Sequence, residues 1–109
     1  MEELREAGLE EMAGSIGMWL ARTVRRVSEE EIVRVLGGRG SARVSTAEEG
    51  VYAVELYDSR GRLAFIGYFE EREGWVSPVV YMGHTIVDGD ALRRLYEDLR
   101  EAIRASRAG

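Results

Sequence analysis

Three short loops that end in glycine divide the middle of this 109-residue sequence into segments rich in Val, Ile, Tyr, Phe and Trp. The loops span residues 47–50, 58–61 and 71–74. A glycine at the last position of such a loop takes the positive φ of a type I turn followed by a bulge, which is a common hairpin connection. The segments between the loops have the composition of β-strands. The pattern predicts an antiparallel meander of four strands, at residues 41–47, 51–58, 62–70 and 75–82.

The register of these hairpins divides the side chains between two faces of the sheet. Side chains alternate along a strand, so pairing the residues that flank each loop assigns every residue to one face. One predicted face is aliphatic core: Val44, Val54, Leu56, Ala64, Ile66, Val76, Val80 and Met82, with Tyr52 and Tyr68 at one end. The other is aromatic: Arg43, Ser45, Val51, Ala53, Glu55, Tyr57, Leu63, Phe65, Gly67, Phe69, Trp75, Ser77, Val79 and Tyr81. The predicted cross-strand pair Arg43–Glu55 indicates that the aromatic face is at least partly exposed to solvent.

Helical patterns precede the predicted sheet. An acidic first helix is predicted to end near Gly14, and Ser15 is a candidate cap for a second helix with apolar residues at spacings of three and four. Ser28 and Glu31 form a capping-box pattern that opens a third, short helix, and Gly37 is expected to end it.

One long helix is predicted to follow the sheet. Pro78 indicates that the last strand lies at an edge, and residues 83–87 read as a connector. Asp88 is a good N-cap for a helix that extends to residue 106. The expected fold is therefore α+β in a single domain, residues 1–109. It comprises a helical segment (1–38), a four-stranded antiparallel meander sheet (41–82) and one long C-terminal helix (88–106).

Composition excludes several kinds of chemistry. Cysteine is absent, which rules out disulfides, thiol catalysis and zinc–thiolate sites. All 15 basic residues are arginine, and Lys, Asn and Gln do not occur. This usage is typical of a thermophile that avoids heat-labile side chains, or of a GC-rich genome, and we expect a thermophilic prokaryote. No apolar run is long enough for a membrane helix and no signal peptide is evident, so we expect a cytoplasmic protein.

Candidate catalytic and metal-binding residues are few, and we do not expect an enzyme, a metal or a cofactor. His84 is the only histidine, and a single histidine at such a corner is more often structural than catalytic. The segment 37–40 is glycine-rich, but it follows a helix and contains no lysine, so it is a weak phosphate loop. Acidic residues in the predicted turns are more typical of soluble sheet edges than of a metal site.

The aromatic face is the strongest functional lead. Aromatic rings on an open sheet bind single-stranded nucleic acid by base stacking, at about 1–3 kcal/mol per base, while arginine contacts the phosphates. The predicted stacking residues are Tyr57, Phe65, Phe69, Trp75 and Tyr81. The predicted arginine rim comprises Arg43, Arg60, Arg62 and Arg72, together with Arg22, Arg25, Arg26 and Arg39. The formal net charge of −5 opposes such binding, but the segment 14–45 contains a local basic cluster of Arg22, Arg25, Arg26, Arg34, Arg39 and Arg43.

The order of elements resembles known families that bind single-stranded DNA. Four antiparallel strands, followed by one long C-terminal helix that the segment 86–92 opens, resemble the single-stranded-DNA-binding transcriptional coactivator fold. With helices before the sheet, the chain is more similar to ThermoDBP and its related proteins, the single-stranded DNA-binding proteins of thermophilic archaea. The resemblance implies a DNA cleft lined by apolar, aromatic and basic side chains, and a homodimer or higher oligomer.

The sequence thus predicts sequence-independent binding of single-stranded DNA, with RNA as an open alternative. A second hypothesis is a protein-interaction or oligomerisation module whose aromatic face is a buried interface. A third is a small-molecule pocket between the helices and the sheet.

Overall fold

A computed structural model describes the backbone of residues 2–79 and 84–108, and the side chains of residues 8–79 and 84–105. Helices combine with an antiparallel sheet, which confirms the α+β prediction. The helices are α1 (Glu2–Thr23), α2 (Glu29–Leu36) and α3 (Gly89–Ala108). The strands are β1 (Gly40–Glu48), β2 (Val51–Asp58), β3 (Leu63–Arg72), β4 (Trp75–Pro78) and β5 (His84–Ile86). None of the described helices combines the length and the apolar character needed to cross a membrane.

All three helices contribute to one hydrophobic core on one face of the sheet. Ile16 and Leu20 of α1, Leu36 of α2 and Leu92 and Leu95 of α3 are each at most 2% exposed. They pack with the inward-facing residues of the strands, which include Ala42, Val54, Leu56, Phe65, Phe69 and Val76. The opposite face of the sheet is not covered by the described part of the chain.

The N-terminal helix is continuous, and the predicted break near Gly14 is wrong. A helix-interior glycine costs only about 1 kcal/mol relative to alanine. The apolar stripe of Ala13, Ile16 and Leu20 continues through this region and is buried. Burial of that stripe outweighs the local cost, so Ser15 lies inside α1 and caps nothing.

The predicted caps of the other helices are confirmed. Ser28 precedes α2 in an extended conformation, and its Oγ accepts a hydrogen bond of 3.2 Å from the backbone N–H of Glu31. Gly37 ends α2 in the left-handed conformation at φ 60°. Asp88 begins α3, because its Oδ1 accepts hydrogen bonds from the backbone N–H groups of Asp90 and Ala91 at 3.0 and 3.2 Å.

The last predicted strand is shorter than expected. β4 ends at Pro78, and the expected extension to residues 80–82 lies outside the described residues. The expected connector contains β5, whose His84 pairs with Gly67 of β3. Pro78 of β4 pairs with Phe69 of β3. The strands β4 and β5 therefore lie one after the other along the same edge of β3. The sheet order is β1-β2-β3, followed by β4 and β5.

A bulge at Ala64 changes the register of the central hairpin. The β1–β2 pairing is as predicted, with Arg43 opposite Glu55. The β2–β3 pairing also starts as predicted, with Tyr57 opposite Leu63, but Leu56 then lies opposite Phe65 rather than Ala64. Ala64 is the extra residue of a β-bulge, so every later side chain of β3 is on the face opposite to the one predicted.

Phe65 and Phe69 are therefore core residues, and their predicted position on an open face is wrong. Their exposures are 1% and 3%. Gly67 lies between the two rings, and a Cβ there would approach Phe69 to 3.0 Å and Phe65 to 3.3 Å. The absence of a side chain at Gly67 is what lets both rings pack against the same backbone.

Asp58 attaches the central hairpin to α3. Its Oδ1 accepts hydrogen bonds of 2.9 Å from the backbone N–H groups of Arg60 and Arg62, which order the turn. Its Oδ2 accepts a hydrogen bond of 2.8 Å from Nε of Arg94 on α3. Beside the bulge, the carbonyl oxygen of Ala64 accepts hydrogen bonds from the N–H groups of residues 87 and 88, which lead into the same helix.

Candidate interaction surface

The uncovered side of the sheet, here called the outer sheet face, is an alternating set of residues from four strands. Its members include Arg43, Glu48, Val51, Ala53, Glu55, Tyr57, Leu63, Ile66, Tyr68, Glu70, Arg72 and Trp75, with serines at positions 41, 45 and 77. The middle of the face is apolar or aromatic, because Ala53, Ile66 and Tyr68 lie on the two central strands. These three residues are half-buried, whereas Trp75 at the edge is 72% exposed.

Each arginine of the outer sheet face lies next to a glutamate. Arg43 lies opposite Glu55 in the register, and Nη2 of Arg72 lies 2.8 Å from Oε1 of Glu70. The Tyr57 hydroxyl donates a hydrogen bond of 3.0 Å to Oε2 of Glu55. This bond to a carboxylate, helped by partial desolvation, raises the pKa of Tyr57, so the phenol stays protonated. Glu48 lies opposite Val51 on the same face, so the face combines two arginines with three glutamates.

The structure separates the predicted stacking residues into three groups. Tyr57 and Trp75 lie on the outer sheet face, as expected. Phe65 and Phe69 lie in the core, and Tyr81 is outside the described residues. Stacking of a base on Phe65 or Phe69 is excluded in this fold because neither ring is accessible.

The predicted arginine rim is also dispersed. Arg43 and Arg72 lie on the outer sheet face, and Arg60 and Arg62 lie in the turn between β2 and β3. Arg22 belongs to α1, and Arg25 and Arg26 follow it in the connection to α2.

Two further arginines have local partners. Arg39 turns back on α2, where its Nη1 donates a hydrogen bond of 3.2 Å to the carbonyl of Leu36. Nη1 of Arg62 lies 3.6 Å from Oδ2 of Asp88. The arginines of the predicted rim therefore do not surround the aromatic rings as one group.

Two residues of the face were not predicted. Ile66 and Tyr68 were expected in the core and instead point outward, for the same reason that Phe65 and Phe69 point inward. The four consecutive apolar residues 63–66 are compatible with either register, and their alternation contains no signal for a bulge.

The described residues include no group of three or more His, Cys, Asp or Glu side chains arranged to hold a metal ion. Comparison of the chain with protein-family models, with curated proteins and with solved structures finds no match.

Proposed function

We propose that this protein is a self-association module that pairs two copies through the outer sheet face. The observation that carries the proposal is a sheet whose described helices all lie on one side and whose other side is apolar at its centre. Ile66 and Tyr68 occupy that centre on β3, with Ala53 opposite Tyr68 on β2. Sheets commonly pack face to face at a separation of about 10 Å, which buries such side chains.

The charge pattern of the face favours a second copy over a polyanion. A two-fold interface uses the same surface on both subunits, so the surface must be complementary to itself. A face that carries both arginines and glutamates meets this requirement, since each arginine can lie against a glutamate of the partner. A nucleic-acid site needs an excess of positive charge, which this face lacks.

The test is the association state of purified protein, measured by sedimentation equilibrium. Ile66→Arg places a charge at the centre of the face without entering the core, and we expect dimerisation to weaken at least about tenfold. Val33→Arg is the matched control, because Val33 is 39% exposed on α2. A wild-type protein that stays monomeric at high micromolar concentration, or an Ile66→Arg variant that still dimerises normally, contradicts the proposal.

A second candidate is binding of single-stranded DNA or RNA on the same face, in line with the resemblance noted in the sequence. The specific observation in its favour is that Tyr57, Tyr68 and Trp75 lie on one face of the sheet, with Arg72 directly opposite Trp75 in the register. Exposed rings beside a guanidinium group are suited to base stacking and phosphate contact.

Fluorescence anisotropy of a labelled oligonucleotide distinguishes the two candidates. Nucleic-acid binding predicts an affinity that falls as salt rises and falls again in Trp75→Ala and Tyr68→Ala. If no binding occurs at low salt, the second candidate is rejected and the self-association proposal is unaffected.

A further inference from the structure

A cleft lies between α1 and α3, and its volume is about 160 Å³. Ile16 and Leu99, which are 2% and 4% exposed, form its buried end. Trp19 of α1 and Tyr96 and Ile103 of α3 are half-buried and border its opening. The described residues that line the cleft all belong to these two helices, so the cleft is separate from the outer sheet face.

The volume and the lining rings define the size of an occupant. An apolar cavity of about 150 Å³ accommodates a benzene molecule. The cleft of about 160 Å³ therefore accepts one six-membered ring. Trp19 and Tyr96 belong to different helices and both reach solvent at the cleft. Such a ring can therefore contact one aromatic side chain from each helix, through faces or edges.

The opening of the cleft carries a positive charge. The guanidinium carbon of Arg100 lies 6.0 Å from the centroid of the Tyr96 ring, so the charged end of this exposed side chain lies beside the cleft. The exposed Ser15 lines the cleft from α1 and supplies a hydroxyl group. Glu97 and Glu101 flank Arg100 on α3, but neither lines the cleft.

The charge of Arg100 is available to a ligand. Arg100 forms no ion pair with any carboxylate in the part of the chain whose side chains are described. A guanidinium group presents several N–H donors in one plane, which matches the two oxygens of a carboxylate. The cleft thus combines space for one ring with a group that complements an anion.

We propose that the cleft binds a small carboxylate that carries a single aromatic ring. The ring lies between Trp19 and Tyr96, and the carboxylate pairs with Arg100 and accepts a hydrogen bond from the hydroxyl of Ser15. This binding goes beyond self-association and does not depend on it, because the helices and the outer sheet face lie on opposite sides of the sheet.

Fluorescence of Trp19 tests the proposal directly. The sequence contains two tryptophans, so the Trp75→Phe variant leaves Trp19 as the single reporter at the cleft. The probes are phenylacetate, 2-phenylethylamine and ethylbenzene, which share one ring and differ in charge. We expect a saturable change with phenylacetate in the millimolar range, and an affinity for the amine that is at least about tenfold weaker because Arg100 repels it. Methyl resonances of Ile16 and Ile103 should shift with the same saturation in NMR titrations.

Arg100→Met tests the role of the charge, since methionine keeps an unbranched apolar side chain. We expect phenylacetate to bind about threefold more weakly, as is typical for an exposed ion pair, and ethylbenzene to bind as before. Arg60→Met is the matched control, because it removes the same charge from the turn between β2 and β3, outside the cleft. It should leave the affinity for phenylacetate unchanged.

Ser15→Leu tests the location, because the larger side chain occupies the cleft and suits a helix. Ser15 is exposed, so the core is not altered. We expect the affinity for phenylacetate to fall at least about fivefold. Ala105→Leu is the matched control at an exposed position of α3 that does not line the cleft, and it should bind phenylacetate as the wild type does.

Three results would overturn the proposal. The first is the absence of a saturable change with phenylacetate in the Trp75→Phe protein. The second is undiminished binding in Ser15→Leu, which would place the ligand elsewhere. The third is equal affinity for phenylacetate and the amine, which would remove the role of Arg100. Ile66→Arg should bind phenylacetate normally, so failure of self-association and failure of ligand binding are measured separately.

Discussion

Asp58 is a buried aspartate whose carboxylate accepts three hydrogen bonds. It is 2% exposed, and burial alone would raise its pKa. The hydrogen bond from the Arg62 N–H, the bond from Arg94 and the bond from the Arg60 N–H together outweigh this effect and lower the pKa below the ordinary value. The carboxylate is thus held ionised inside the protein, and it joins the β2–β3 turn to α3.

Asp58→Asn should therefore lower the free energy of unfolding by about 2–3 kcal/mol at neutral pH, because Arg94 loses its charged partner. A carboxyl group with a lowered folded pKa contributes fully above the unfolded pKa of about 3.9 and loses that contribution as pH falls through the folded pKa. The gap between variant and wild type should narrow below about pH 4. Urea unfolding from about pH 3 to pH 7 measures this difference in the free energy of unfolding. Glu97→Gln, at an exposed position, is the control. A difference that stays constant with pH would contradict the role given to the Asp58 carboxylate.

Two glycines should respond to alanine with opposite signs. A Cβ on Gly40 would lie 2.3 Å from the carbonyl oxygen of Tyr57, so Gly40→Ala should destabilise the protein by about 1–3 kcal/mol through a forced strand shift. Gly8 lies in α1 with open space around it, so Gly8→Ala should stabilise by about 0.5–1 kcal/mol. Thermal unfolding of the two variants side by side checks both signs.

Among the elements, β3 is decisive, because the bulge at Ala64 determines which residues form the core. Phe65→Ala should cost about 3–5 kcal/mol, as expected for a buried phenylalanine. Ile66→Ala should cost about 1 kcal/mol or less in the monomer, since Ile66 points away from the core. A regular register without the bulge predicts the reverse order. Chemical unfolding at low protein concentration distinguishes the two, and a larger loss for Ile66→Ala would disprove the bulged register.

Elements with strong local signals were predictable from the sequence. The predicted bounds of β2 are the observed ones, and the caps at Ser28 and Asp88 are formed as expected. The continuity of α1 was not predictable, because burial of Ala13, Ile16 and Leu20 outweighs the local effect of Gly14. The outer sheet face was predicted correctly on β1 and β2 and wrongly on β3. That error has a single cause, since a bulge inside a run of apolar residues leaves no trace in hydrophobic alternation.

For the whole molecule, self-association predicts a stability that depends on concentration. If two folded copies unfold to two chains, the apparent free energy of unfolding rises by about 1.4 kcal/mol for each tenfold increase in protein. The melting temperature should rise accordingly for the wild type and for Val33→Arg. For Ile66→Arg the same rise should require at least about tenfold more protein. A melting temperature that does not change with concentration in the wild type would argue for a monomer.

The bulge at Ala64 also affects how sequences of related chains are to be compared. A single inserted or deleted residue in β3 can be absorbed by gaining or losing such a bulge, with both strand ends kept in place. Aligned positions after that point would then occupy opposite sides of the sheet in the two proteins. Substitution patterns at residues 65–69 are therefore informative about core or surface only when the number of residues between the Asp58 turn and Gly67 is the same.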